Sequence, residues 1–162
     1  MRVLFVCMGN ICRSPTAEAV LRERARVAGL AAHLEVDSAG THGSHAGEAP
    51  DPRAIKAGAR RGYDLRTLRS RQVKAEDFAR FDHILGMDDY NLRLLGTLRP
   101  EGFDGYLGRA TDFARHLGRD EVADPYYGGP AGFEDVLDQL EIVADGLLVV
   151  LRERIGSGPA LR

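Results

Sequence analysis

Val6-Cys7-Met8-Gly9-Asn10-Ile11-Cys12-Arg13-Ser14-Pro15 is the stretch on which the reading of this chain turns. Just before it, Val3-Leu4-Phe5-Val6 is an apolar, β-branched run of the kind that forms a short buried strand. At its far end Ser14-Pro15 reads as a helix N-cap followed by proline at the first helical position. A strand therefore passes through a tight turn directly into a helix N-terminus. Such a turn aims successive backbone N–H groups at one point, and the helix dipole adds partial positive charge there, so an anion of phosphate size is favoured. Cys7 stands where the strand ends, and the same field stabilises a thiolate over a thiol, the condition for a cysteine nucleophile. Arg13 closes the ring. Its planar guanidinium can make two parallel hydrogen bonds to phosphate oxygens and keep them as a phosphoryl group flattens during transfer.

Outward from this turn, the strand-then-helix pattern repeats. A helical stripe runs from Pro15 through Ala17, Val20, Leu21 and Ala25 to Ala28, with Gly29 as its stop. Residues 33–36 read as a second strand that leads into Asp37-Ser38-Ala39-Gly40-Thr41, and residues 41–50, rich in Gly, Ser, His and Pro, read as loop. Asp51-Pro52 starts a helix that runs to about Arg61. Residues 65–73, with Arg66, Arg69 and Arg71, read as an irregular solvated face, and a short amphipathic helix is expected within 72–81. A third strand follows at residues 83–87, then a helix capped by Asp88. A fourth strand begins at Tyr106-Leu107, and Phe133, Val136, Leu137, Leu140, Val143, Leu147 and Leu151 mark a long last helix. Alternation of this kind predicts an α/β fold of three layers, a parallel sheet flanked by helices on both faces, with ligands at the carboxyl ends of the strands.

Bulk properties narrow the function. A chain of 162 residues suits one domain, taken as residues 1–155 with 156–162 as a flexible tail. Its 22 Lys and Arg against 24 Asp and Glu are interspersed, which gives no general pull toward nucleic acid or a membrane. No apolar run approaches a membrane span, and Met1-Arg2 enters the first strand without a signal sequence, so a cytoplasmic protein is expected. The two cysteines, Cys7 and Cys12, both lie in the turn, which excludes a disulfide scaffold and a cysteine-rich zinc site. No metal and no cofactor is expected, since the five histidines have no paired metal spacing.

The run VCMGNICRSP resembles the active-site loop of the low-molecular-weight protein tyrosine phosphatases. The resemblance extends over nearly the whole chain, and it implies a four-stranded parallel sheet in the order 2-1-3-4. Residue by residue, it implies Cys7 as nucleophile, backbone donors from Met8, Gly9, Asn10, Ile11 and Cys12, and Arg13 as phosphate ligand. Asn10 and Ser14 would hold the loop and assist the thiolate. The run DSAGT resembles a second family motif and implies that Ser38 supports the loop. Asp124-Pro125-Tyr126-Tyr127 resembles the general-acid loop, making Asp124 the proton donor and then the base, with Tyr126 and Tyr127 at the mouth of the slot. Two departures stand out. Where members often carry Trp or Tyr after DSAGT, Ser44 falls at the matching position, which implies an open wall in the slot. Where many carry a histidine that bonds the aspartate matching Asp88, this chain has Leu68.

The implied activity is hydrolysis of phosphotyrosine in a protein or peptide through a phosphocysteine intermediate, with phosphate and other oxyanions as inhibitors. A variant acting on phosphoarginine typically has Thr where Ile11 stands. Arsenate reductases resemble the same loop but carry further cysteines downstream, and none follows Cys12. A noncatalytic phosphate-binding module is disfavoured by the joint presence of Cys7, Arg13 and Asp124. Dinucleotide binding is disfavoured by a loop with one glycine and no Walker lysine. Cys7 and Cys12 also form a candidate redox pair, in which a sulfenic acid on Cys7 is captured by Cys12.

Overall fold

The structure, a computed structural model, describes residues 1–157. Four parallel strands form one sheet in the order β2-β1-β3-β4. They are β1 (Arg2–Cys7), β2 (Glu35–Gly40), β3 (His83–Gly86) and β4 (Tyr106–Arg109). The helices are α1 (Arg13–Val27), α2 (Pro52–Ala59), α3 (Asp77–Arg80), α4 (Asp89–Leu98) and α5 (Pro130–Ser157). The sheet order is the one the resemblance implies, and the layering is the one the alternation of strands and helices predicts.

Central strand β1 explains the three layers. After exposed Arg2 it is buried on both faces, so its side chains from Val3 to Cys7 are apolar, yet the strand period of two still sorts them. Val3, Phe5 and Cys7 join the core under α1 and α5, while Leu4 and Val6 join the core that holds Phe78, Ile84 and Leu95. Leu137, Leu140, Val143, Ala144, Leu147 and Leu151 of α5 complete the first core. Burial of a leucine side chain contributes about 1.5–3 kcal/mol. Gly146 lets α5 approach the turn at Phe113, because a Cβ there would lie 2.0 Å from the Phe113 carbonyl oxygen. Among the described residues no helix is long and apolar enough to cross a membrane.

Several local expectations are corrected. Ser14 does not cap α1: the helix starts at Arg13, and its N-cap, Cys12, makes no side-chain cap bond. The Ser14 hydroxyl instead faces Cys7 and the Ala39 carbonyl. Pro15 falls in the first turn, where a missing N–H leaves no bond unmade. The second strand starts at Glu35 and takes in Asp37 to Gly40, so DSAGT lies mostly inside β2 rather than in a turn after it. Strand pairing with β1, register Cys7↔Gly40, outweighs the glycine signal there. The short helix within 72–81 is a single turn. Of the expected tail, Gly156 and Ser157 belong to α5, and residues 158–162 lie outside the described residues.

Candidate active site

The carboxyl end of β1 delivers Cys7 into a loop whose carbonyl groups are nearly all tied outward. Thr41 N–H bonds the Cys7 carbonyl, His42 N–H that of Met8, and Asp51 N–H that of Ile11. The Ser70 hydroxyl takes the Gly9 carbonyl, and Thr16 takes that of Cys12 through both its amide and its hydroxyl. In a trans peptide the carbonyl and the next N–H point in opposite directions. Outward carbonyls at residues 7, 8, 9, 11 and 12 therefore turn the amides of Met8, Gly9, Asn10, Cys12 and Arg13 inward. Among the described residues no protein group accepts from the amides of residues 8–13. Together with the N-terminus of α1 they form an anion cradle.

Two backbone features make this curl possible. Asn10 has φ 56°, the only positive φ outside glycine among the described residues. Its side chain compensates, since Nδ2 donates to Ser14 Oγ at 2.8 Å and to Ser38 Oγ at 3.0 Å while Oδ1 accepts from Arg71 N–H. Gly40 is required by closeness: a Cβ would sit 2.7 Å from the Met8 carbonyl oxygen.

Cys7 is buried, with Sγ 3.0 Å from Ser14 Oγ. Arg13, also buried, is clamped on one side only. Its Nη1 donates to Asp88 Oδ2 at 2.7 Å and to the Val122 carbonyl at 2.9 Å. That leaves the Nε and Nη2 edge for a bidentate ligand. Asp88 divides its carboxylate, one oxygen for Arg13 and the other for Asn91 N–H at the start of α4. Leu68, where the resemblance places a histidine, packs against the core, and Asp88 pairs directly with Arg13.

The cradle floors a cleft of about 180 Å³ lined by Met8, Ile11, His45, Asp124, Tyr126 and Tyr127 above Cys7, Cys12 and Arg13. Asp124 is held by an Asx turn, Tyr126 N–H bonding Oδ1 at 3.0 Å, and its Oδ2 lies 3.8 Å from Arg13 Nη2. Buried Val122 and Pro125 anchor this segment on either side of it. Tyr126 meets Tyr127 edge to face at 4.9 Å and lies under the Arg53 guanidinium at 5.3 Å. Burial, reinforced by the negative charge of Asp51, Cys7 and Asp124, pushes the Cys12 thiol up to about 12.

Of the residues expected at the site, Cys7, the loop to Ser14, Ser38, Asp124, Tyr126 and Tyr127 converge. Ser44 does not. It is exposed and outside the lining, and the wall on that side is His45, whose ring packs against Gly9 and whose Nδ1 pairs with Glu48 at 2.9 Å. The expected solvated face at 65–73 is corrected as well. Leu65 is fully buried, Ser70 and Arg71 hold the cradle, and Arg71 is locked between Asp37 and Asp77. No local signal marks Ser70 and Arg71, because their partners Gly9 and Asn10 each lie 61 positions away in the chain.

Comparison with known proteins accords with the geometry. The family profile for low molecular weight phosphotyrosine protein phosphatase matches residues 2–156. A putative low molecular weight protein-tyrosine-phosphatase of Synechocystis is 44% identical, over 96% of this chain and 99% of its own. The Streptomyces coelicolor low molecular weight protein-tyrosine-phosphatase is 46% identical over 95% of each. A crystal structure of a protein tyrosine phosphatase from Entamoeba histolytica, with Hepes in its active site, superposes with a TM-score of 0.90 at 42% identity, covering 94% of this chain and 97% of that one. With the family profile matching residues 2–156 and relatives more than 40% identical over nearly their whole length, the chain belongs to the low molecular weight phosphotyrosine protein phosphatase family.

Proposed function

We propose that this chain hydrolyses phosphotyrosine in proteins through a phosphocysteine intermediate, with Cys7 as nucleophile, Arg13 as phosphate ligand and Asp124 as general acid and base. One observation carries the reading: Cys7, the cradle whose amides have no acceptor, Arg13 and Asp124 all line one cleft. Three phosphoryl oxygens held there would leave phosphorus in line between the sulfur and the leaving oxygen.

In the first step the Cys7 thiolate forms a bond to phosphorus while the bond from phosphorus to the tyrosyl oxygen breaks. The Asp124 carboxyl gives its proton to that oxygen. In the second, a water oxygen attacks phosphorus, its proton passes to the Asp124 carboxylate, and the thiolate leaves as phosphate is formed. Amides of residues 8–13 and the Arg13 edge bind the equatorial oxygens in both transition states. Ile11, His45, Tyr126 and Tyr127 wall the ring of the substrate, and Ser38 and Ser14 hold the loop through Asn10.

Phosphate and other oxyanions of like geometry occupy the same cradle and inhibit. The steps need no metal or cofactor, and a thiolate nucleophile fits a reducing cytoplasm. The test is phosphate release, in chelator, from peptides carrying phosphotyrosine, phosphoserine, phosphothreonine or phosphoarginine. Turnover confined to phosphotyrosine is expected, and preference for phosphoarginine would overturn the substrate assignment.

A further inference from the structure

The order β2-β1-β3 puts the segments that follow β2 and β3 on either side of the cradle at the end of β1. Two of their side chains meet. His42, two residues past β2, lays its ring against that of Tyr90 in the first turn of α4, with centroids 6.1 Å apart and planes 9° apart. The His42 amide bonds the carbonyl of Met8, whose side chain lines the cleft, and Asp88, two residues before Tyr90, clamps Arg13. The ring pair therefore lies beside the mouth of the cleft, continuous with Met8.

Packing of the fold does not account for this pair. Tyr90 is 40% exposed and Met8 42%, and neither belongs to the core on either face of the sheet. The arrangement is nevertheless held in place. Thr41 Oγ1 and His42 Nδ1 are 2.9 Å apart, which fixes the imidazole, and Arg93, one turn along α4, sets its guanidinium 5.8 Å from the Tyr90 ring centre.

Charge marks what such a shelf would take. Asp88 neutralises Arg13, Asp51 neutralises Arg53, and Asp89 takes Arg109. Arg93 differs, since among the described residues no carboxylate pairs with it and its cation rests on the Tyr90 ring. A guanidinium held by its face keeps its N–H edge free, and that edge matches a carboxylate with two parallel hydrogen bonds. On the same side, Asp89 is engaged by Arg109 at 2.8 Å and Glu121 by the Asp89 amide at 2.7 Å, so neither occupies Arg93.

We propose that Met8, His42, Tyr90 and Arg93 form a docking shelf for the chain that flanks a phosphotyrosine, and that the shelf selects peptides with a carboxylate beside the phosphotyrosine, bound by Arg93. The proposal rests on the reading of the cleft as a phosphotyrosine site. Met8 and the ring pair supply a flat apolar path out of the cleft, and Arg93 supplies the charge at its end. A small aryl phosphate fills the cleft without reaching the shelf, so the two readings separate by substrate size.

The experiment compares p-nitrophenyl phosphate with phosphotyrosine peptides that carry a single Glu at one of the three positions on either side, in an otherwise neutral sequence. Glu at one or more positions should raise kcat/KM by about two- to fivefold at low salt, the range of an exposed ion pair, and salt should shrink the gain. Arg93→Met should abolish the gain, Arg93→Lys should keep part of it, and Tyr90→Ala, which removes the support of Arg93, should lose most of it. All three side chains changed are exposed, and p-nitrophenyl phosphate turnover should stay as in the unmutated protein.

Affinity of the same peptides for Cys7→Ser gives the preference without turnover and should show the same ranking. No preference for any acidic peptide, or an equal preference in Arg93→Met, would overturn the proposal, as would a parallel loss with p-nitrophenyl phosphate. Absence of phosphatase turnover in the unmutated protein would instead sink the reading of the site, while an acidic preference in peptide binding that Arg93→Met removes would leave the shelf standing.

Discussion

Between Cys7 and Ser14 five of eight residues are at most 5% exposed, and the loop is tied at almost every carbonyl. Across the cleft, Asp124 shows 40% of its side chain to solvent and Tyr127 is 93% exposed. In the proposed reaction both regions meet the same substrate, but they are made to different tolerances. The cradle must hold donors against charge that develops in transfer, and such donors work best when they need not reorganise. In the proposed reaction the rim admits a tyrosine carried on a protein surface and releases the product, and it is held more loosely, by buried Val122 and Pro125, the Asx turn at Asp124 and stacking on Arg53. Substitutions in the cradle should therefore change the chemistry itself, and those at the rim should change which substrates are accepted and how fast the leaving group departs.

The largest effect belongs to the cradle. Cys7→Ser should abolish turnover, because a serine hydroxyl supplies no accessible anion at neutral pH. Its fold and its binding of inorganic phosphate should survive, since the amides and Arg13 do not depend on the sulfur. Phosphate release and phosphate affinity measured on one preparation check both halves. Turnover well above background would refute the covalent route.

Asp124→Asn tests the rim at its one chemical contribution. A loss of about 10²–10⁴-fold in kcat is expected for aryl phosphates with basic leaving groups, and a smaller loss where the leaving group is already acidic. Rates plotted against leaving-group pKa should be steeper than in the unmutated protein. An unchanged slope would remove Asp124 from proton transfer.

Legibility from sequence followed the same division. The cradle was readable because its requirements are local: a strand end, a curl and a helix start compressed into ten residues, with Cys and Arg at fixed spacing. Strands β1 and β3 and the long last helix were readable because apolar runs and burial agree over whole elements, whereas β2 was read two residues early and of β4, Tyr106-Leu107-Gly108-Arg109 and mostly unburied, only the start was legible. What escaped was held by distant partners. Ser70 and Arg71 look like part of a basic surface run until Gly9 and Asn10 are brought beside them by the sheet. Asp88 was legible as a helix cap but not as the clamp on Arg13, a contact 75 positions away in the chain. Ser44 was misplaced by one residue because nothing in a glycine-rich loop fixes which side chain turns inward.

Cys12 sharpens the comparison from inside the cradle, where a second thiol is held in its protonated form. Peroxide would convert the Cys7 thiolate to a sulfenic acid; attack by Cys12 sulfur would then form the disulfide and expel hydroxide. Only the Cys12 thiolate attacks, and with a thiol pushed up to about 12 its ionised share below that pH grows roughly tenfold per pH unit. Disulfide closure after oxidation should accordingly accelerate by about that factor between pH 7 and pH 8. Cys12→Ser should keep most catalysis and lose recovery by dithiothreitol. Equal recovery in that variant would exclude a protective disulfide.

The smallest effect is expected at the rim, where the wall is made of histidine. The His45 ring lies against Gly9, with Cδ2 3.1 Å from where a Gly9 Cβ would stand, and Glu48 fixes its other edge through Nδ1. An imidazole placed this way offers an aryl ligand a small, polar face. His45→Trp presents a larger π surface along the same side of the cleft. An aromatic pair is worth about 0.5–1.5 kcal/mol, so KM for aryl phosphates should fall a few-fold, with little change for alkyl phosphates. Loss of the pairing with Glu48 should cost little, because that carboxylate is mostly solvated. Ser44→Trp supplies the contrast: its side chain starts outside the lining and should leave both substrate classes unchanged. A gain from Ser44→Trp and none from His45→Trp would mean that the loop turns the other residue inward when substrate binds, and that the rim is shaped by its ligand in a way the cradle is not.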